Sequence, residues 1–216
     1  MYALMYGAVG RPAQTGVCSA IVSLLPFERF RELWGRAAVA APPPPADHHA
    51  ATLATADAAG RPSARVVLVR GVDDEGFVFY TNYTSRKARE VASNPQAALC
   101  FHWHWLEEQA RVEGLVTRAT REESDAYFRS RPRGSQIGAW ASQQSQPLAS
   151  PGELEARVAL FEREFEGREV PRPEFWGGFR LVPDRFEFWK AAESRLHDRI
   201  LFARIDAEWI ESRLYP

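Results

Sequence analysis

The feature that most constrains this chain is a change of hydrophobic period. From Ala50 onward, apolar and polar residues alternate in short runs separated by turn sequences. Ala50–Asp57, Ser63–Val72 and Phe77–Asn82 read as strands, joined by turns at Ala58-Ala59-Gly60 and Asp73-Asp74-Glu75-Gly76. Ala97–Trp105, Gln109–Ala119, Phe179–Trp189 and Arg199–Asp206 continue the pattern, and Glu208–Leu214 adds a last strand. Strands this close in sequence pair antiparallel, because a parallel pair needs a long crossover. No βαβ repetition is present, which argues against a doubly wound sheet. The chain reads as mainly β with peripheral helices, folded as a closed antiparallel barrel of roughly six to eight strands.

Helices fill the gaps. Phe27–Ala38 places Phe27, Phe30, Leu33 and Trp34 at helical spacing, and Pro42–Pro45 then stops the helix and forms a stiff connector. Ser85–Ser93 is a short helix closed by Asn94-Pro95. Thr120-Arg121-Glu122-Glu123 is a capping box opening a helix to about Ser130. Ser150-Pro151-Gly152-Glu153 is another, with Pro at the first helical position, opening a helix to about Glu166. Residues 1–26 carry Arg11 as their only charge, and Gly7, Gly10, Pro12, Gln14 and Gly16 interrupt any apolar core that a signal peptide would need. They read as an atypical, poorly ordered arm ahead of a single domain over residues 27–216.

Composition limits the functional classes. At 216 residues, with seven Trp and thirteen Phe, the chain can pack the core of one barrel. A formal charge of −1 gives no global reason to expect a nucleic-acid partner. Cys18 and Cys100 form neither a disulfide framework nor a metal-spaced pair, which points to a reducing cytoplasm. No run approaches the roughly 18–20 apolar residues of a membrane span.

The chemistry lies in locally clustered cations. In Arg195-Leu196-His197-Asp198-Arg199, strand alternation would put residues 195, 197 and 199 on one face. Such a guanidinium–imidazole–guanidinium row is costly to bury without an anionic or electron-rich partner; a solvated strand face is the competing reading. Arg65 and Arg70 should face opposite ways unless a bulge intervenes. Tyr80–Lys87 reads as a strand end, a turn and a helix start, where free N–H groups, the helix dipole, Arg86 and Lys87 make a phosphate site without a glycine-rich loop. A surface turn capped by Ser85 is the alternative. Ser130–Ser145, polar apart from Ile137, Ala139, Trp140 and Ala141, reads as a loop that wraps a ligand. It offers Arg131 and Ser135 to an anion, and Gln144 and Ser145 to the edges of a heterocycle. His102 and His104 would share a strand face, but no third ligand lies nearby and alternating aromatics suit a half-buried strand, so no metal is assigned.

These segments together resemble the pyridoxamine 5'-phosphate oxidase family, FMN-dependent enzymes that make pyridoxal 5'-phosphate. The matching pieces are Arg65-Val-Val-Leu, Phe79-Tyr-Thr-Asn, Ser85-Arg-Lys, Tyr127-Phe-x-Ser-Arg-Pro, Ser135-Gln-Ile-Gly-Ala-Trp-Ala-Ser, Gln144-Ser, Phe175-Trp-Gly-Gly, Glu187-Phe-Trp and Arg195-Leu-His-Asp-Arg. They run in the family's order from about Ala50 to Pro216. The resemblance implies a split antiparallel β-barrel homodimer with FMN at the subunit interface. It implies that Arg65, Arg86 and Lys87 hold the FMN phosphate. Tyr80, Thr81, Gln109, Gln144, Ser145, Trp189 and Arg199 would line the rest of the flavin. Arg70, Tyr127, Arg131 and Ser135 would surround the substrate phosphate, with Arg195 and His197 beside the reacting amine. The implied reaction moves a hydride from substrate C4' to flavin N5; the imine hydrolyses to aldehyde and ammonia, and O2 is reduced to H2O2.

Three positions depart from the family pattern: Arg70 stands where Lys is usual, Glu108 where Arg is usual, and residues 1–26 lack the basic, Tyr-containing arm. Two other readings stay open, a flavin oxidase of secondary metabolism like the phenazine-pathway relatives, and a flavin or pyridoxal-phosphate binding module without turnover.

Overall fold

The computed structural model describes residues 16–41, 44 and 46–216, with side chains from Leu25 onward. Residues 1–15 of the expected N-terminal arm, and most of the Pro42–Pro45 connector, lie outside the described residues. Helix α1 runs Gly16–Ala40, starting well before the amphipathic pattern at Phe27. That pattern marks the part that packs: Phe27, Phe30, Leu33 and Ala37 are all buried. Phe30 closes one end of the barrel, its ring edge-on to Phe77 at 4.7 Å and to Phe101 at 5.0 Å.

Eight strands follow the alternating pattern: β1 Ala50–Ala56, β2 Pro62–Asp73, β3 Gly76–Asn82, β4 Gln96–Trp103, β5 Glu108–Arg118, β6 Trp176–Lys190, β7 Asp198–Ile205 and β8 Glu208–Arg213. They form one sheet in the order β3-β2-β1-β4-β5-β6-β7-β8, and β3 also pairs with β6, so six strands close into an antiparallel barrel. The long β6 splits this barrel. Residues 176–181 of β6 pair with β3, whereas residues 185–190 pair with β7. The change falls at Pro183, which cannot donate to a ladder, opposite a bulge at Glu113/Gly114. Leu53, Val69, Phe77, Phe79, Leu99, Phe101, Trp103, Val112, Leu181, Phe186 and Phe202 fill the interior. Each such side chain contributes about 1.5–3 kcal/mol when fully buried.

Helix α2 Arg86–Ser93 packs Ala88 and Val91 on the barrel core, whereas α3 Arg121–Ser130, α4 Arg133–Ala141 and α5 Pro151–Glu164 meet at a second apolar cluster. Phe128, Ile137, Ala139, Phe165, Val170 and Trp176 are its buried members. The Thr120 capping box forms in full, with Thr120 Oγ1 accepting from Glu123 N–H and the Glu123 carboxylate accepting from Thr120 N–H. The second box does not form. Ser150 makes no side-chain cap bond, and Glu153 accepts from Ala149 instead.

Two sequence expectations change here. The stretch 130–145 is not a plain loop, because α4 occupies its middle. Gly134 and Gly138 weaken the helical signal, while Ile137, Ala139 and Ala141 bury one face of the helix. The other concerns His102 and His104. β4 ends at Trp103, and His104 opens a 3₁₀ turn that finishes at Glu107 with φ 54°, so the two histidines do not share a strand face.

Candidate active site

The site begins with a buried carboxylate. Ser63 and Arg65 lie two residues apart on one face of β2, and Thr55 on β1 is the cross-strand partner of Ser63. Arg86 and Glu90, four apart, share one face of α2. These elements converge on Glu90, whose side chain is 6% exposed. Its carboxylate accepts from Thr55 at 2.5 Å, Ser63 at 2.6 Å, Arg86 Nε at 2.7 Å and Arg65 Nη2 at 3.2 Å. Burial alone would raise this carboxyl; the four donors outweigh it and hold it at about 2.

Lys87 stands beside this group. Its Nζ donates to Thr81 Oγ1 at 3.1 Å and to Gln144 Oε1 at 2.9 Å, and Thr81 donates to the same Gln144 oxygen at 2.8 Å. Ser145 follows with φ 71°. Burial, reinforced by the Arg65 charge, pushes the Lys87 ammonium down to about 8. Ser85, at the N-cap of α2, makes no cap bond; its Oγ is fully buried without a hydrogen-bond partner. Three cations against one carboxylate leave a net +2. That matches a phosphate monoester, which carries close to two negative charges at neutral pH. The donor set and the unpartnered Ser85 hydroxyl fit the phosphate end of a flavin mononucleotide.

A second cationic pocket lies beside β3. Tyr80 and Tyr127 stack at 3.9 Å, and each stacks on Trp176, at 5.7 and 6.2 Å. The Arg131 guanidinium lies 4.6 Å from the centre of the Trp176 ring, and its buried Nη1 has no partner. Burial lowers the Arg131 pKa. Ser135 is exposed in the first turn of α4. Burial, with the charges of Glu123 and Tyr127, pushes the Tyr80 hydroxyl up to about 12, so it remains a donor. The Trp-Gly-Gly motif has a steric reason. A Cβ on Gly177 would meet the Tyr83 ring and hydroxyl, and one on Gly178 would meet Ala119 and the Tyr80 ring.

A third group lines the other half of β6. Register places Gln109, Trp189 and Arg199 side by side across β5, β6 and β7. Arg199 donates to the buried Glu187 carboxylate through Nε at 2.8 Å and to the Tyr215 carbonyl at 2.8 Å. His197 packs 4.6 Å from Trp189, and its Nδ1 accepts from Ala192 N–H at 3.3 Å. The expected strand row of residues 195, 197 and 199 is corrected. Glu193–Arg195 is a 3₁₀ turn, Ser194 and Arg195 have φ 54° and 61°, and β7 starts only at Asp198. Arg195 therefore projects from a strained turn, exposed, next to His197.

Arg70 lies beside an irregularity of the sheet: the β2–β3 register shifts between Val69 and Gly71, Val69 is buried, and Arg70 is exposed. Its charge is felt at Asp47 and His48. Asp47, His48 and His49 are the group of potential metal ligands that lies together among the described residues, and Arg70 opposes a cation there. Glu108 proves to be an anchor: its buried carboxylate accepts from Arg36 of α1 at 2.8 and 3.2 Å. A cavity of about 920 Å³ lies among α3, α4 and α5 and is lined by none of the residues assigned above. Sequence reasoning missed Glu90, Thr55 and Ser63, and it marked Glu187 and Trp176 as motif residues without assigning them a role. The four-residue spacing of Arg86 and Glu90, and the shared strand face of Ser63 and Arg65, were the available signals.

A split barrel carrying a cationic clamp at the start of α2 and a separate cationic aromatic pocket defines a class, FMN-binding split-barrel proteins. Residues 37–163 match the family model described as pyridoxamine 5'-phosphate oxidase. Residues 176–216 match the pyridoxine 5'-phosphate oxidase C-terminal dimerisation region. The chain is 58% identical over 191 residues to a pyridoxine/pyridoxamine 5'-phosphate oxidase of Myxococcus xanthus strain DK1622, covering 88% of this chain and 91% of that one. It is 60% identical over 168 residues to the enzyme so named from Rubrobacter xylanophilus, covering 78% and 77%. The solved structure of PhzG from Burkholderia lata 383, in complex with tetrahydrophenazine-1-carboxylic acid, is 31% identical with a TM-score of 0.83, covering 88% and 92%. The chain belongs to the pyridoxamine 5'-phosphate oxidase family and is an oxidoreductase of that family. Among the described residues no helix is long and apolar enough to cross a membrane.

Proposed function

We propose that the protein is a homodimeric, FMN-dependent oxidase that converts pyridoxamine 5'-phosphate, and pyridoxine 5'-phosphate, to pyridoxal 5'-phosphate in a reducing cytoplasm. The observation that carries this reading is the pair of separate phosphate-grade sites on one chain: Arg65, Arg86 and Lys87 around Glu90, and Arg131 on Trp176 with a buried, unpartnered Nη1. FMN, bound at the subunit interface, would supply a hydride acceptor and the two-electron reduction of O2 to H2O2. In the first site, Arg65, Arg86 and Lys87 hold its phosphate; Tyr80, Thr81, Gln109, Gln144, Ser145, Trp189 and Arg199 line the rest.

Arg131, Tyr127, Ser135 and Arg70 hold the substrate phosphate. The energy of that contact keeps the substrate C4' near the reacting distance of about 3–3.5 Å. His197, steadied by Trp189 and by Ala192 N–H, orients the substrate ring. Arg195 stabilises charge at the reacting amine. Water then completes the reaction, so that amine, O2 and water give aldehyde, ammonia and H2O2. For the alcohol substrate, water and ammonia drop out of the balance.

The likeness to PhzG motivates the competing reading, a flavin oxidase acting on a phenazine precursor. The 58% and 60% identities to pyridoxine/pyridoxamine 5'-phosphate oxidases, and the Arg131 pocket, favour the phosphorylated substrate. The test is anaerobic addition of pyridoxamine 5'-phosphate to the yellow holoprotein. The colour should bleach and return on admitting air. Colour that persists with this substrate, but bleaches with a reduced phenazine carboxylate, would establish the competitor; no bleaching by either would leave a binding module.

A further inference from the structure

We infer that Glu90 is a positioning residue of the phosphate clamp, setting both the aim of Arg65 and Arg86 and the net charge that selects a dianionic phosphate. The inference rests on the reading of that clamp as the FMN phosphate site.

Glu90 is the point where three elements meet. Thr55 comes from β1, Ser63 and Arg65 from β2, and Arg86 from α2, and all four donate to one carboxylate. Arg65 is tied on both sides, since its Nη1 also donates to Thr55 and to the Leu53 carbonyl, and its Nη2 to Ser63. Arg86 uses its Nε on Glu90, and its side chain remains 59% exposed, so it is anchored without being enclosed. Without an anion between them, two guanidinium groups and the Lys87 ammonium would repel one another and separate. Glu90 holds them converged before any ligand arrives, which spares the ligand that ordering cost. It also trims three positive charges to two, the complement of a phosphate monoester dianion. Being inside α2 and almost wholly buried, Glu90 itself faces the arginines rather than the ligand.

The test is a flavin-fluorescence titration of apoprotein with FMN and with riboflavin, for wild type, Glu90→Ala and Glu90→Gln, with thermal melting in parallel. In Glu90→Ala the FMN Kd should rise at least tenfold while the riboflavin Kd holds, so the ratio of the two affinities collapses. In Glu90→Gln an amide oxygen still accepts from the arginines, and the ratio should fall by about threefold. Should the Ala variant not fold, the Gln variant decides alone. An unchanged ratio in the variant that folds, whatever its melting temperature, makes Glu90 merely structural and overturns the inference. A ratio that rises does the same, because it would mean that the carboxylate only opposes the phosphate. Equal affinity of wild type for FMN and riboflavin is a different failure: it removes the phosphate site itself.

Discussion

Lys87 illustrates how much a single environment decides. Its ammonium is pushed down to about 8 by burial and by Arg65. A phosphate binds the protonated form, so the sign follows directly. Between pH 7 and 8 Lys87 is mostly charged, the phosphate is mostly dianionic, and FMN affinity should change little; above pH 8 the free protein must take up a proton to bind, and the FMN Kd should climb by up to tenfold per pH unit. Lys87→Arg, which stays protonated, should flatten that climb in a fluorescence titration across pH 7 to 10. A climb of the same steepness in the Arg variant would assign it to another group.

The arginines at the other end of the barrel divide by partner. Arg199 is fixed by Glu187 and the Tyr215 carbonyl in the row with Trp189 and Gln109, whereas Arg195 is exposed on the preceding turn. Arg199→Leu should therefore weaken flavin binding, and Arg195→Leu should lower turnover with flavin content intact. Equal loss of flavin in both would erase that division. Arg70, which faces the Asp47–His49 turn within its own chain, is the more exposed assignment. If it reaches the substrate phosphate, Arg70→Ala should raise KM by about 1.5–3 kcal/mol, the usual value of a charged hydrogen bond. Arg70→Lys should retain activity; an unaltered KM in the Ala variant would take Arg70 out of the site.

At the level of elements, period-two alternation located all eight strands, because a half-buried strand writes its two faces into alternate residues. Their ends were less legible. β6 begins at Trp176 rather than Phe179, since Gly177 and Gly178 read as a break although they are strand residues kept small by Tyr83 and Tyr80. α4 was hidden for a similar reason: its glycines and polar residues mask an apolar face that tertiary packing alone stabilises. The turn at Ser194-Arg195 was unreadable because neither residue is one that usually adopts positive φ. The same close approach makes a prediction. Gly178→Ala drives a methyl against Ala119 and the Tyr80 ring, and should cost about 1–3 kcal/mol of stability in a thermal or denaturant melt. It should also disturb the aromatic stack under Arg131, raising KM more than it changes FMN content. A melt within error of wild type would show that β6 can shift away from Ala119 and Tyr80.

At the scale of the whole molecule, the site is distributed around the barrel rather than enclosed by it. The phosphate clamp sits where β1, β2 and α2 meet, the aromatic pocket where β3, α3 and β6 meet, and the Trp189 row across β5, β6 and β7. The cavity of about 920 Å³ among α3, α4 and α5 is lined by none of them. Such a distribution suits a site completed by a second copy, and the match of residues 176–216 to a dimerisation region agrees with it. Light scattering on the purified holoprotein should give twice the 24.4 kDa chain mass. A monomer with full flavin content would separate flavin binding from assembly.

The central claim, oxidation of a phosphorylated pyridine amine, is tested most directly by following all products at once. With pyridoxamine 5'-phosphate as substrate, oxygen uptake, H2O2, ammonia and pyridoxal 5'-phosphate should appear in equal amounts. Arg131→Ala, which removes the cation on Trp176, should raise KM for this substrate far more than it lowers flavin content. Oxygen uptake that is absent with pyridoxamine 5'-phosphate on flavin-loaded protein would contradict the account.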